Sequence, residues 1–114
     1  MTASPLSVRI DLPDGQRFGP GKAALLRQVE AAGSIKAAAE ALNMSYPRAL
    51  KLLDQMNATF ASPVLATRHG GSEGGGAELT ETGRAVLALY DEICASAISA
   101  SSETMARMSA YLAK

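Results

Sequence analysis

Residues 33–60 constrain this chain more than any other stretch, because they carry two short helical patterns separated by only two residues. Ser34 precedes an apolar pattern at Ile35, Ala38, Ala39 and Leu42, and Ser45 precedes a second at Tyr46, Ala49, Leu50, Leu53, Met56 and Phe60. Both recur with the helical period, and serine suits the position before a helix because its hydroxyl accepts from an amide otherwise left unpaired. Asn43 and Met44 leave room for little more than a turn, and asparagine tolerates the left-handed backbone that ends a helix. The two helices must therefore cross sharply. Ala37, Ala38, Ala39 and Ala41 remove bulk from the first helix, so the second can cross it closely. Off its apolar stripe the second helix carries Ser45, Arg48, Lys51 and Gln55, groups able to reach phosphates or base edges in a major groove. The layout is a helix-turn-helix with its recognition helix at about residues 45–60. The plainer alternative is a solvated face on an ordinary bundle helix.

The flanks decide between these readings. Residues 6–12 alternate apolar and polar and run into Pro13, Asp14 and Gly15, which predicts one strand and a turn. A helix over about residues 22–32 buries Leu25, Leu26 and Val29, and Gly33 suits its C-terminal cap. After Phe60, residues 63–68 predict a short strand, residues 69–76 a glycine-rich loop and residues 77–80 a return strand. Three helices followed by a two-stranded hairpin make a winged helix-turn-helix: a mainly α fold with a small β wing at about residues 63–80. The glycines of that loop do not form a phosphate cradle of the P-loop kind, since no Gly-Lys-Ser/Thr entry into a helix follows them; Gly19 to Lys22 fails the same pattern. A wing tip is simpler, with Arg68 and His69 at its base.

Thr80 caps a last segment, residues 81–112, that has no proline and no glycine beyond Gly83. Its apolar residues Val86, Leu87, Tyr90, Ile93, Cys94, Ala97, Ile98, Met105, Met108 and Leu112 follow a helical or heptad period. A stripe that outruns its own domain calls for a partner. The expected organisation is a winged helix-turn-helix over residues 1–80 and a C-terminal dimerisation helix over residues 81–114, with Leu87, Tyr90, Ile93, Cys94, Ala97, Ile98, Met105 and Met108 at the dimer interface. Ser96, Ser99, Ser101 and Ser102 are weak helix formers, so an interruption is expected near them. The alternative is a helix folded back on its own domain.

Composition narrows the function classes. At 114 residues with 47% hydrophobic and 4% aromatic residues, the chain suits one domain with an aliphatic core. The N-terminus lacks the basic-then-apolar order of a signal peptide and no apolar run approaches a membrane span, so a soluble cytoplasmic protein is expected. The single cysteine, Cys94, reads as a buried or interface thiol, and a pocket formed with Met105 and Met108 is a costlier explanation than apolar packing. One histidine, His69, with no nucleophile–base pattern or clustered ligands near it, points away from an enzyme, a cofactor or a metal site. Eleven basic residues cancel eleven acidic ones, which argues against nucleic-acid binding until their order is considered. Arg9, Arg17, Lys22, Arg27, Lys36, Arg48 and Lys51 crowd the first half, whereas Glu73, Glu78, Glu81, Asp91, Glu92 and Glu103 come later, so a basic face can coexist with an acidic far side.

Taken together, these residues resemble the N-terminal DNA-binding domain of the ModE family, the molybdate-responsive transcription regulators, itself related to the winged helix of LysR-type regulators. The resemblance rests on residues 33–39, on Met44, Ser45 and Tyr46 with Arg48 and Ala49, on residues 54–57, on the wing at residues 70–76, and on residues 79–83 leading to Leu89 and Tyr90. It implies a sequence-specific transcription regulator, a homodimer that sets two recognition helices in successive major grooves of an inverted-repeat operator, about 34 Å apart. Three departures stand out. The chain ends at Lys114, so no oxyanion-binding domain, and no direct molybdate site by the family route, is expected. Ser72 and Glu73 stand where the family's wing carries a lysine, and an acidic group facing phosphate is repulsive. Pro47 stands where a basic residue is common, tolerated in a first turn because its missing donor has no partner there anyway.

On this reading Lys22, Ser34, Lys36 and Ser45 hold phosphates, Arg68 and His69 contact backbone or minor groove, and Arg48, Lys51 and Tyr46 read base edges, Arg48 by a bidentate pair to guanine. Tyr46 also lies on the apolar stripe, where packing is the simpler role. The alternative from another class is a winged-helix module that binds no DNA and instead pairs with or blocks another regulator, which the neutral net charge and acidic wing suit.

Overall fold

Two backbone signals divide the first half of the chain into helices. Gly33 adopts a left-handed conformation, φ 77°, and its amide closes α1 (Pro20–Ala32) on the Val29 carbonyl. Asn43, φ 54°, is the one non-glycine residue with positive φ among the described residues, and it separates α2 (Ile35–Ala41) from α3 (Tyr46–Thr59). A computed structural model describes residues 5–68 and 76–113. Before α1 lie β1 (Ile10–Asp11) and β2 (Arg17–Phe18); after α3 come β3 (Leu65–Arg68), β4 (Gly76–Leu79) and α4 (Glu81–Ser109). Each strand pair is antiparallel, Ile10 opposite Phe18 and Leu65 opposite Leu79. The architecture is a winged helix-turn-helix with a long terminal helix, as the pattern of the sequence predicts.

The core is aliphatic where α1, α2 and α3 meet. Leu25, Leu26, Val29, Ala38, Ala49 and Leu53 are fully buried, and each such leucine contributes about 1.5–3 kcal/mol by leaving water. Ala38, Ala39 and Ala49 let α2 and α3 approach, because no side chain there reaches beyond a methyl group. Val64, Leu65, Ala77 and Leu79 close one end of the core with the inner face of the wing. At the other end Phe18 stacks edge-on against Phe60 and Tyr90, with ring centroids 6.3 and 5.1 Å away.

Three expectations change. Residues 6–12 predict a strand, yet only Ile10 and Asp11 pair, and their partner is β2, which the sequence pattern did not reveal. The alternation survives as burial: Leu6, Val8, Ile10 and Leu12 turn partly inward while Ser7, Arg9 and Asp11 face out. The turn between them is held by Leu12 and Gln16 backbone atoms and by the Asp14 carboxylate, which accepts from the Gln16 amide and is thereby held below its usual pKa. Helix α1 begins two residues early, at Pro20, a residue suited to a first turn. Finally, α4 is not interrupted at its serines: Ser101 donates to the Ala97 carbonyl at 2.6 Å and Ser102 to Ser99. Hydroxyls that bond back to the preceding turn are satisfied inside a helix, so their low propensity does not break it.

Helix α4 has two environments. Gly83, Leu87 and Tyr90 are buried against the body, whereas no residue from Asp91 to Ala113 is buried. Its 29 residues span about 43 Å at the helical rise, which explains why the molecule measures 58 × 31 × 21 Å. No helix among the described residues is long and apolar enough to cross a membrane.

Candidate nucleic-acid interface

The serines that open α2 and α3 act as the sequence implies. The Ser34 hydroxyl accepts from the Ala37 amide at 3.0 Å, and the Ser45 hydroxyl accepts from the Arg48 amide at 3.2 Å. Each hydroxyl oxygen accepts in capping and keeps its proton to donate, so a phosphate approaching either helix meets that donor together with the remaining free amides and the positive end of the helix dipole. Between the helices the Met44 amide returns to the Ala39 carbonyl at 2.9 Å, which fixes the turn.

Arg48 and Lys51 stand exposed on α3, one turn apart, and Lys36 stands exposed in the first turn of α2. Lys22 is half-buried near the start of α1, and its charge acts on Asp14 through space. Tyr46, on the apolar stripe, is read most simply as packing; the structure instead leaves it 48% exposed at the head of α3. The stripe is met by Ala49, Leu53 and Met56, and the first residue of a helix lies beyond the reach of the core behind it. Pro47 occupies the first turn, as expected. Along the outward side of α3 a shallow depression is lined by Pro47, Leu50, Lys51, Asp54, Gln55 and Ala58.

Charge pairing separates this face from the rest. Arg9 and Arg17 flank Asp11, Arg27 pairs with Asp91, Arg68 with Glu78, and Arg84 lies 3.9 Å from Glu30. By contrast, no described carboxylate lies within 4 Å of Lys22, Lys36, Arg48 or Lys51. The zero net charge thus hides an uneven arrangement: Lys22, Lys36, Arg48 and Lys51 on α1, α2 and α3 are unpaired, and the other described cation without a carboxylate partner is Arg107, at the far end of α4. The strongest pair lies elsewhere, between α1 and α4: Arg27 donates two hydrogen bonds to Asp91, the longer 2.8 Å. These raise the guanidinium pKa and lower that of the carboxyl.

The wing base is held from several sides. Arg68 ends β3, 3.4 Å from Glu78, and a Cβ on Gly76 would lie 2.7 Å from its guanidinium. His69 and the glycine-rich tip lie outside the described residues. Asn57, on the last turn of α3, accepts with one side-chain oxygen from both the Val64 and the Leu65 amides, at 2.9 and 3.2 Å. Thr80 donates to the Pro63 carbonyl at 2.6 Å and caps α4 by accepting from Gly83. Sequence pattern predicts the Thr80 cap of the last helix, but not its bond to Pro63 or the reach of Asn57 to Val64 and Leu65; Asn57 enters only as a piece of a family motif.

The proposed dimer face needs correction at two positions. Leu87 and Tyr90 are buried within the protomer, Tyr90 stacking on Phe18 and donating its hydroxyl to the Val8 carbonyl at 2.7 Å. Burial pushes that phenol up to about 12, and the neighbouring Cys94 acts in the same direction. They share the helical phase of the distal stripe but lie in the half of α4 that the body already covers. Ile93 and Met108 are exposed, and Cys94, Ala97, Ile98 and Met105 are half-buried.

The family model for bacterial regulatory helix-turn-helix proteins of the lysR family matches residues 22–84. The chain belongs to this family. The LysR-type match runs from the start of α1 through the wing into the first turn of α4, the same span that carries the helix-turn-helix and its clamps. Among curated relatives, the molybdenum-pterin-binding protein MopB of Rhodobacter capsulatus is 40% identical over 79 residues, 69% of this chain and 29% of that protein. The molybdenum transport protein ModE of Azotobacter vinelandii is 35% identical over 92 residues, 79% of this chain and 34% of its own. The DNA-binding transcriptional dual regulator ModE of Escherichia coli K12 is 33% identical over 72 residues, 63% of this chain and 28% of its own. These relatives bear out the ModE resemblance for the N-terminal region, and the chain spans about a third of their length.

Proposed function

We propose that this LysR-family chain is a transcription regulator that binds double-stranded DNA, with α3 in the major groove and two copies joined through the distal half of α4. The observation that carries the reading is the pairing of charge. Lys22, Lys36, Arg48 and Lys51 have no carboxylate partner among the described residues, and all four lie on α1, α2 or α3. Cations without a carboxylate partner replace a duplex's counterions directly, whereas a paired one must first give up its carboxylate. Arg48 and Lys51 are the readers of base edges and Lys36 and Lys22 the phosphate contacts, with Tyr46, exposed at the head of α3, available to a base or sugar. Arg68 forms only an exposed, weak pair with Glu78 and exchanges that partner for the flanking backbone from the wing. Ile93, Cys94, Ala97, Ile98, Met105 and Met108 continue the apolar stripe past the body and meet their counterparts in a second copy.

Selection from a pool of random duplexes, with sequencing of the retained fraction at two salt concentrations, tests the reading. An enriched inverted repeat with half-site centres about one helical turn apart, and affinity falling steeply with salt, is expected. Absence of retention at low salt overturns it and favours a module that pairs with another regulator.

A further inference from the structure

Three elements converge on residues 63–65. Asn57, on the last turn of α3, holds the Val64 and Leu65 amides through one oxygen, at 2.9 and 3.2 Å. From the other side, the Thr80 hydroxyl bonds the Pro63 carbonyl and the Thr80 amide bonds the Val64 carbonyl at 3.0 Å. The start of α4 also presses here, since any Cβ on Gly83 would overlap the Val64 carbonyl oxygen. Val64 is fully buried, so its amide has no water to fall back on and depends on Asn57. The far strand of the wing is anchored separately, the Ala77 amide bonding the Gly33 carbonyl at 2.8 Å, beside the cap of α2. Arg68 lies three residues beyond the segment that Asn57 grips.

We propose that Asn57 is a positioning residue that locks the first strand of the wing to the recognition helix, so that Arg68 and α3 meet the duplex as one rigid unit. The proposal rests on the DNA-binding reading above. An arginine on an unclamped strand retains its charge but not its register with α3, and a phosphate contact made only part of the time contributes less to binding. Asn57 is suited to the task because a single amide oxygen has two lone pairs, which take successive backbone donors and stop the chain from sliding along the helix.

The test is a double-mutant cycle on the full chain, read as the slope of log affinity against log salt for a labelled duplex of mixed sequence. Arg68→Ala should lower the slope by about one phosphate contact, and Lys51→Ala by about the same. Asn57→Ala should reproduce the Arg68→Ala loss; adding Arg68→Ala to it should change nothing further, while adding Lys51→Ala should still remove its own contact. Additive losses for Asn57 and Arg68 overturn the proposal. So does the disappearance of both the Arg68 and the Lys51 effects in the Asn57→Ala background, which would mark a general loss of fold. A wild-type chain that binds no duplex at low salt overturns the DNA-binding reading and this proposal together; wild-type binding that Asn57→Ala leaves unchanged overturns this proposal alone.

Discussion

The two halves of α4 share one apolar period and have opposite surroundings. In the proximal half the stripe is covered, with Gly83, Leu87 and Tyr90 buried against the wing, α1 and Phe18. In the distal half the same stripe runs on through Ile93 and Met105 to Met108, which is 63% exposed. A helix satisfies its backbone hydrogen bonds internally but owes most of its stability in water to the packing of its apolar face, so the two halves of α4 differ in support as well as in surroundings. The proximal half is therefore part of the domain, and the distal half carries the same stripe without cover from the described residues.

Substitutions on the two halves should behave differently, and the largest difference should come from Gly83. Gly83→Ala places a methyl group against the Val64 carbonyl, where backbone on both sides must move. A loss of about 3 kcal/mol, lowering the melting temperature by roughly 10–20 °C, is expected from thermal and denaturant unfolding. A loss below about 0.5 kcal/mol, the range of ordinary surface changes, would show that the proximal half is not held as tightly as its packing implies.

Tyr90→Phe should cost about 1 kcal/mol at neutral pH by leaving the Val8 carbonyl without its donor. This deficit should shrink in alkali. The folded phenol titrates at about 12 against an ordinary 10.0, so above pH 10 the unfolded state releases a proton that the folded state keeps. Wild-type stability from this group is whole below pH 10 and is lost as the pH rises towards 12, whereas the phenylalanine variant has no such limb. Parallel pH profiles for the two proteins would remove Tyr90 from the proximal anchor.

The smallest effect on protomer stability belongs to the distal half. Ile93→Ser combined with Met108→Ser should leave unfolding at low protein concentration within about 0.5 kcal/mol of wild type. The same pair should lower the mass measured by sedimentation from that of a dimer to that of a monomer. A large loss of stability at low concentration would mean that the distal stripe is covered by its own chain.

Much of the architecture is legible in residue order because its signals are local. Ser34 and Ser45 cap their helices, Gly33 and Asn43 take the left-handed backbone, and Ala38 and Ala39 of α2 lie buried at the crossing, each from chemistry within a few residues, whereas Ala37 is half-buried and Ala41 faces out. The candidate site was legible in its cations but not in their availability. Lys36, Arg48 and Lys51 differ from Arg27 and Arg84 only through partners that lie on other elements, Asp91 being 64 positions from Arg27. Strand β2 escaped notice because two paired residues leave no period to detect, and the serines of α4 misled because propensity omits the carbonyl to which each hydroxyl can turn.

By itself the sequence determined the helices, their caps, the sharp turn and the presence of a wing, since these depend on backbone preferences and on apolar spacing along one segment. Tertiary structure alone decided which half of α4 is covered, that Tyr46 faces outward and Tyr90 inward, and that Asn57 reaches across to Val64. Periodicity shows which residues share a face of a helix. What lies opposite that face depends on contacts between residues far apart in the chain, and these form only when the chain closes on itself.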